Sequence, residues 1–253
     1  MEVSDVSLTY HTPSGETPAL SQISFQLMPE EFLAIVGPSG CGKSTLLDLI
    51  RGLRRPDSGK ILMHGRPVSL KTPQIGYMLQ KDSLLEWRSI YKNILLGLEI
   101  NREESPERLA FAQKLIDTYG LTAFCHAKPS QLSGGMRQRA ALIRTLALQP
   151  DLLLLDEPFS ALDAQTRLNV SDDIGKILKK EEKPAILVTH DIAEAISMAD
   201  RVLVLSSRPA KIQNIYTIQL DQPDRSVLRS RSDPKFKMYF NLIWKELNQN
   251  ENV

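Results

Sequence analysis

No stretch of the 253 residues is long and apolar enough to cross a bilayer. Uninterrupted aliphatic runs such as Leu152-Leu153-Leu154-Leu155 and Ile94-Leu95-Leu96 fall far short of the roughly 20 residues that a spanning helix needs. Cysteine is scarce: Cys41 and Cys125 have no CxxC or Cys/His ligand spacing, which excludes a disulfide framework or a zinc site built on them. Aromatics make up only 6%, too few for a surface made mainly of base-stacking platforms. Net charge is also missing. Lys and Arg total 31 against 30 Asp and Glu, so a formal charge of +1 provides no field that would hold the chain to nucleic acid or anionic lipid. The opening Met1-Glu2-Val3-Ser4-Asp5 has neither the basic start nor the apolar stretch of a secretory signal. The expected address is the cytosol, and nucleic acid is not an expected partner. The 42% hydrophobic and 24% charged residues are ordinary for a packed globular chain, so dominant disorder is excluded too.

Strand and helix patterns alternate along most of the chain. Val6, Leu8 and Tyr10 alternate with polar residues, as do Ile23, Phe25 and Leu27, and residues 11–15 between them read as a turn. Residues 32–36 are continuously apolar, as a strand buried on both faces should be. A Gly-rich loop follows, then a helix over about 43–50, then a short strand between the turns at 56–59 and 64–65. The amino-terminal part therefore reads as a mixed, partly antiparallel sheet around one buried parallel strand. From 89 to 119 the period is helical: Ile90, Ile94, Leu95 and Leu98 share one face, and a second helix over 106–119 carries Leu109, Ala112, Leu115 and Ile116. Strands at 152–155, 185–188 and 202–205 then alternate with helices at about 164–180 and from 192. That alternation implies right-handed crossovers and a parallel core. A last amphipathic stretch covers about 234–247.

Gly37-Pro38-Ser39-Gly40-Cys41-Gly42-Lys43-Ser44 fits G-x-x-x-x-G-K-[ST] and lies between a buried strand and a helix. Glycines let the backbone turn its N–H groups inward, and the helix N-terminus adds positive potential. Lys43 would reach the β- and γ-phosphates of a nucleoside triphosphate, and the Ser44 hydroxyl would ligate Mg²⁺. The same converging N–H groups are expected to favour a thiolate at Cys41. The strand at 152–155 ends in Asp156-Glu157-Pro158, at the edge where open α/β sheets hold ligands. Asp156 is the candidate Mg²⁺-organising acid, and Glu157 the candidate general base for water attacking the γ-phosphate. In Leu132-Ser133-Gly134-Gly135-Met136, a serine and two glycines open a helix. The serine reads as an ordinary cap or, with its bare N–H groups, as a second anion site.

Together these motifs resemble the ATP-binding-cassette ATPases, over nearly the whole chain. Leu132 to Arg139 looks like the family's LSGGQ signature, with Met136 in the glutamine's place. The resemblance implies a P-loop NTPase core with a parallel sheet, an amino-terminal antiparallel β subdomain and an inserted α-helical subdomain. The expected division is 1–80 with 151–220 for the mixed β and RecA-like core, 81–150 for the helical part bearing the LSGG motif, and 221–253 for a carboxyl-terminal extension. It implies ATP and Mg²⁺ as cofactors, with residues 37–45, including Thr45, cradling the phosphates. Tyr10 matches the aromatic that stacks on adenine, although a packed strand residue also fits. Gln80 matches a glutamine that senses Mg²⁺ and the γ-phosphate, and Asp163 lies in Ser160-Ala161-Leu162-Asp163, a segment that crosses the dimer interface in relatives. His190 matches the histidine that contacts the γ-phosphate. Lys43, Gln80, Glu157 and His190 thus form the expected catalytic set; Ser44, Gln80 and Asp156 are the metal set; Ser133, Gly134 and Gly135 would complete the site of a second copy.

The stretch Gln80-Lys81-Asp82-Ser83-Leu84-Leu85-Glu86-Trp87 looks like the corresponding region of the nitrate, sulfonate, taurine and bicarbonate importers, as do residues 201–209, 212–220 and the basic Arg225, Arg229 and Arg231. This implies an importer subunit at the cytoplasmic face of the membrane, with a separate permease and an external solute-binding protein. Leu84, Leu85, Trp87 and Ile90 would line a groove for a permease helix, although a core position fits Trp87 equally. A soluble cassette ATPase acting as a nucleotide-driven switch is the competing reading. A P-loop kinase would leave the LSGG segment unexplained.

Overall fold

A computed structural model describes residues 1–13, 15–69, 75–221 and 226–249. Ser14 of the expected turn and Arg225 of the basic segment lie outside them. The two alternating segments at the amino terminus form a long hairpin, β1 (Glu2–Thr12) antiparallel to β2 (Gly15–Gln26). β3 (Phe32–Val36) runs into α1 (Lys43–Arg51), followed by β4 (Ser58–Met63), β5 (Arg66–Pro67) and β6 (Ile75–Met78). The helices α2 (Ile90–Ile94), α3 (Leu96–Asn101), α4 (Pro106–Thr118) and α5 (Gly134–Leu146) come next. Strand–helix alternation resumes with β7 (Leu152–Asp156), α6 (Ala164–Glu181), β8 (Ala185–Val188), α7 (Ile192–Met198), β9 (Arg201–Leu205) and β10 (Ile212–Thr217). The chain then ends in α8 (Val227–Ser230) and α9 (Pro234–Gln249).

Among the described residues these strands make two sheets. One is antiparallel, in the order β2-β1-β4-β5; the other is ordered β10-β9-β3-β8-β7-β6, with the five strands from β9 to β6 parallel and β10 antiparallel at the edge. The expectation that the amino-terminal sheet surrounds the buried strand is corrected here. β3 belongs to the larger sheet, because it is apolar on both faces whereas β1 and β2 each offer one. Phe32, Ala34 and Val36 join the core that contains the helices α2 to α5, and Leu33 and Ile35 join the core under α1 and the antiparallel sheet. β7 and β8 divide the same way, with Leu153, Leu155, Ala185 and Leu187 on one side and Leu152, Leu154, Ile186 and Val188 on the other. Two apolar cores thus clamp a sheet whose strand ends carry the motifs.

Other differences are local. The helix expected through Ile90, Ile94, Leu95 and Leu98 breaks at Leu95, which caps α2 and starts α3, yet all four side chains are buried. β10 stops at Thr217 instead of reaching 220, although the Ile218 N–H still donates to the Asp200 carbonyl at 2.8 Å in the register set by Thr217 and Arg201.

Candidate nucleotide site

α1 starts with no side-chain cap: Gly42 stands before it at φ 125°, a conformation that suits glycine and leaves the helix end open toward an anion. Lys43 is buried, and its Nζ donates to the carbonyls of Gly37 at 2.8 Å and Pro38 at 3.0 Å. Next to it, Ser44 Oγ donates to Asp156 Oδ1 at 3.1 Å, and the Tyr77 hydroxyl donates to Oδ2 at 3.2 Å. β6 and β7 pair in parallel with Tyr77 opposite Leu154, which brings that hydroxyl to the end of the strand. Burial pushes the Asp156 carboxyl above its usual range; the bonds from Ser44 and Tyr77 oppose this, and the charges of Glu157 and Asp48 add to it. Burial also raises the Tyr77 phenol, with Asp156 adding, so Tyr77 stays a donor. The donors here are a hydroxyl and a carboxylate, with the Gln80 amide nearby. Such hard oxygens suit Mg²⁺ shared with phosphates.

The second cluster centres on Glu157. Its backbone has φ 44°, and its N–H donates to the Val188 carbonyl at 2.9 Å. Its Oε2 lies 3.2 Å from His190 Nδ1 and accepts from Gln80 Nε2 at 3.5 Å. Gln80 Nε2 also donates to Ser160 Oγ at 3.1 Å, and Ser160 donates to the Glu157 carbonyl at 3.0 Å. The ends of β6, β7 and β8 therefore bring Gln80, Glu157 and His190 together across more than a hundred residues of sequence. A carboxylate beside an imidazole and an amide, with His190 and Gln80 exposed, can orient a water and hold its proton.

Tyr10 is half-buried, neither a core residue nor a free platform. Its hydroxyl lies 2.9 Å from Thr45 Oγ1, and the Arg54 guanidinium sits 5.1 Å from its ring centroid, a cation–π contact. Cys41 departs from expectation. Its thiol is 2% exposed and burial raises its pKa, outweighing the nearby Lys43 charge, so the thiol form is favoured over the thiolate.

Ser133, Gly134, Gly135 and Asp163 stand apart: among the described residues no hydrogen bond or ion pair joins them to these clusters. Ser133 caps α5 by accepting from the Met136 N–H at 3.3 Å, and Asp163 caps α6 by accepting from the Thr166 N–H at 3.0 Å; the Thr166 side chain and then this backbone bond lower the Asp163 pKa. Both side chains are exposed. Gly135 has an internal reason to be glycine, since a Cβ there would lie 2.6 Å from Val170 Cγ2 on α6. Of the expected groove residues, Leu84 and Ile90 are core instead, packed with α2 to α5, while Trp87 is 73% exposed. A helical face that is apolar in sequence does not say what covers it.

Sequence reasoning missed Tyr77, Arg54, the bonds of Ser160 to Gln80 and Glu157, and a buried carboxylate, Glu194, which accepts from the Thr189 hydroxyl at 2.7 Å. Tyr77 had one legible signal, its place on the strand leading to Gln80. The partners of the others are set only by the fold.

The ABC transporter family profile matches residues 20–160. The uncharacterized ABC transporter ATP-binding protein YtlC of Bacillus subtilis is 46% identical over 99% of this chain and 96% of its own. The nitrate import ATP-binding protein NrtD of Synechocystis sp. is 38% identical over 94% of this chain and 91% of its own. Among solved structures, the ATP-binding cassette MJ0796, a dimer in a post-hydrolysis state bound to ADP and Pi, superposes with a TM-score of 0.73 at 27% identity, covering 86% of this chain and 98% of that one.

Proposed function

The chain belongs to the ABC transporter family as an ATP-binding, ATP-hydrolysing subunit, and from that premise we propose that it energises import of a small solute through a separate permease. The observation carrying this reading is the likeness to nitrate import ATP-binding proteins along almost the whole chain. The solute class is that of nitrate, sulfonates, taurine or bicarbonate, or a pyrimidine precursor, delivered by an extracytoplasmic binding protein. No helix among the described residues is long and apolar enough to cross a membrane, so the subunit would be held peripherally at the cytoplasmic face by its permease. Exposed Trp87 is the candidate anchor for that contact.

In this reading residues 37–45 cradle the triphosphate, Lys43 neutralises its β- and γ-oxygens, and Tyr10 lies beside the base. Ser44 and Asp156, with Gln80, would hold Mg²⁺, which supplies charge neutralisation on the transferred phosphoryl group. Glu157 takes the proton of the attacking water and His190 orients that carboxylate and the γ-phosphate. Ser133, Gly134, Gly135 and Asp163, of which the serine and the aspartate are exposed, are the groups that a second copy would present to the same nucleotide, stabilising the charge that develops in the transition state. The test is co-expression with the neighbouring genes followed by affinity purification. A multispanning protein should co-purify, and its loss in a Trp87→Ala variant would locate the contact. A chain that purifies alone, with ATPase activity indifferent to any such protein, would favour a soluble nucleotide switch instead.

A further inference from the structure

A buried acid unused by the hydrolytic scheme lies directly behind His190. Glu194 on α7 is 4% exposed, and its Oε2 accepts from the Thr189 hydroxyl at 2.7 Å. That hydroxyl in turn accepts from the Asp191 N–H at 3.0 Å, so one side chain braces both sides of the histidine. Thr189 is itself 2% exposed, and its N–H donates to the Ile35 carbonyl of β3 at 3.2 Å. The other carboxylate oxygen of Glu194 faces Arg167 Nε of α6 at 4.0 Å. Among the described residues that Nε makes no hydrogen bond, while the same guanidinium donates through Nη2 to the Leu162 carbonyl at 3.1 Å. Leu162 belongs to the Ser160–Asp163 segment whose serine bonds Gln80 and Glu157.

We propose that Glu194 is a positioning residue of the hydrolytic site: through Thr189 it fixes the turn that presents His190, and through Arg167 it ties that turn to the segment ending in Asp163. The inference rests on the ATPase reading above and deepens it. His190 itself is half exposed and, among the described residues, its one ring bond is to Glu157 at 3.2 Å, so its placement depends on the backbone of the turn. The brace supplies that backbone's rigidity from the buried side. A rearrangement of the Ser160–Asp163 segment that moves the Leu162 carbonyl moves Arg167, and with it the acid behind the histidine.

The experiment is steady-state Mg-ATP hydrolysis by the purified full chain, with Lys43→Ala as the control for site-dependent turnover. Thr189→Val, nearly isosteric but without the hydroxyl, should lower kcat about tenfold, the effect of one lost positioning hydrogen bond, and leave KM for ATP within about twofold. Thr189→Ser should recover most of that loss. Glu194→Gln and Arg167→Met should each lower kcat, and the double variant should be no worse than the poorer single, the signature of groups acting in one chain. A Thr189→Val enzyme with wild-type kcat, a rise in KM matching the fall in kcat/KM, or additive Glu194 and Arg167 effects would each overturn the proposal while wild-type turnover leaves the ATPase reading standing. Wild-type protein whose turnover equals that of Lys43→Ala would overturn both. If Thr189→Val does not fold, the Glu194→Gln and Arg167→Met cycle decides alone.

Discussion

Glu194 is where burial and chemistry compete most openly at a single residue. Desolvation pushes its carboxyl up to about 7; the Thr189 hydroxyl, Arg167 and His190 pull it down, and Asp191 pushes it further up. Its ordinary value is 4.5, so between those two limits the folded chain binds this proton more tightly than the unfolded chain. The linked stabilisation is whole below pH 4.5 and is lost as pH rises through about 7. Glu194→Gln removes the titration. The stability of wild type relative to that variant should therefore fall between pH 5 and pH 8, by up to about 3 kcal/mol. Urea unfolding of both proteins at several pH values checks it, and a constant difference across that range would show that the carboxyl does not titrate there.

At the scale of elements, α5 and α6 are fitted to each other at the LSGG segment. A methyl added at Gly135 meets Val170 Cγ2 at 2.6 Å, so Gly135→Ala should cost about 1–3 kcal/mol of stability through overpacking. Val170→Ala made in the same chain should recover part of that cost, and thermal unfolding of the single and double variants would show whether the contact is the cause. This close approach is also a case of what the residues could not reveal beforehand. Ser133-Gly134-Gly135 is readable as a helix opening with bare N–H groups, but Val170 lies 35 positions onward and only the packing of α6 makes the glycine necessary for folding. The strand at 32–36 was legible as buried on both faces from its unbroken apolar run, yet its sheet was not, since sheet membership depends on partners at 185–188 and 201–205. Leu84 and Ile90 show the converse: the family resemblance offered both as groove lining, yet both are buried in the core with α2 to α5, and the helical period through Ile90 records that a face is covered and not by what.

For the whole molecule, the strand order accounts for the site. Adjacent parallel strands β3, β8, β7 and β6 end side by side, so loops separated by more than a hundred residues meet at one edge. The motif residues could be proposed from sequence because each carries its chemistry in its own loop; the bonds of Tyr77, Ser160 and Thr189 could not, because those contacts are made only after the strands align. Among the described residues, no hydrogen bond or ion pair joins the exposed Ser133 and Asp163 to the clusters around Lys43 and Glu157. Glu157→Gln should thus slow hydrolysis by about 10²–10⁴-fold, the range for a lost general base, and hold an ATP-loaded dimer. Light scattering that finds only monomer for that variant with ATP would count against two copies sharing the nucleotide. The bonds from Lys43 to the Gly37 and Pro38 carbonyls close the glycine-rich loop upon itself, so the side chain that brings the positive charge also sets the curvature of the backbone around it.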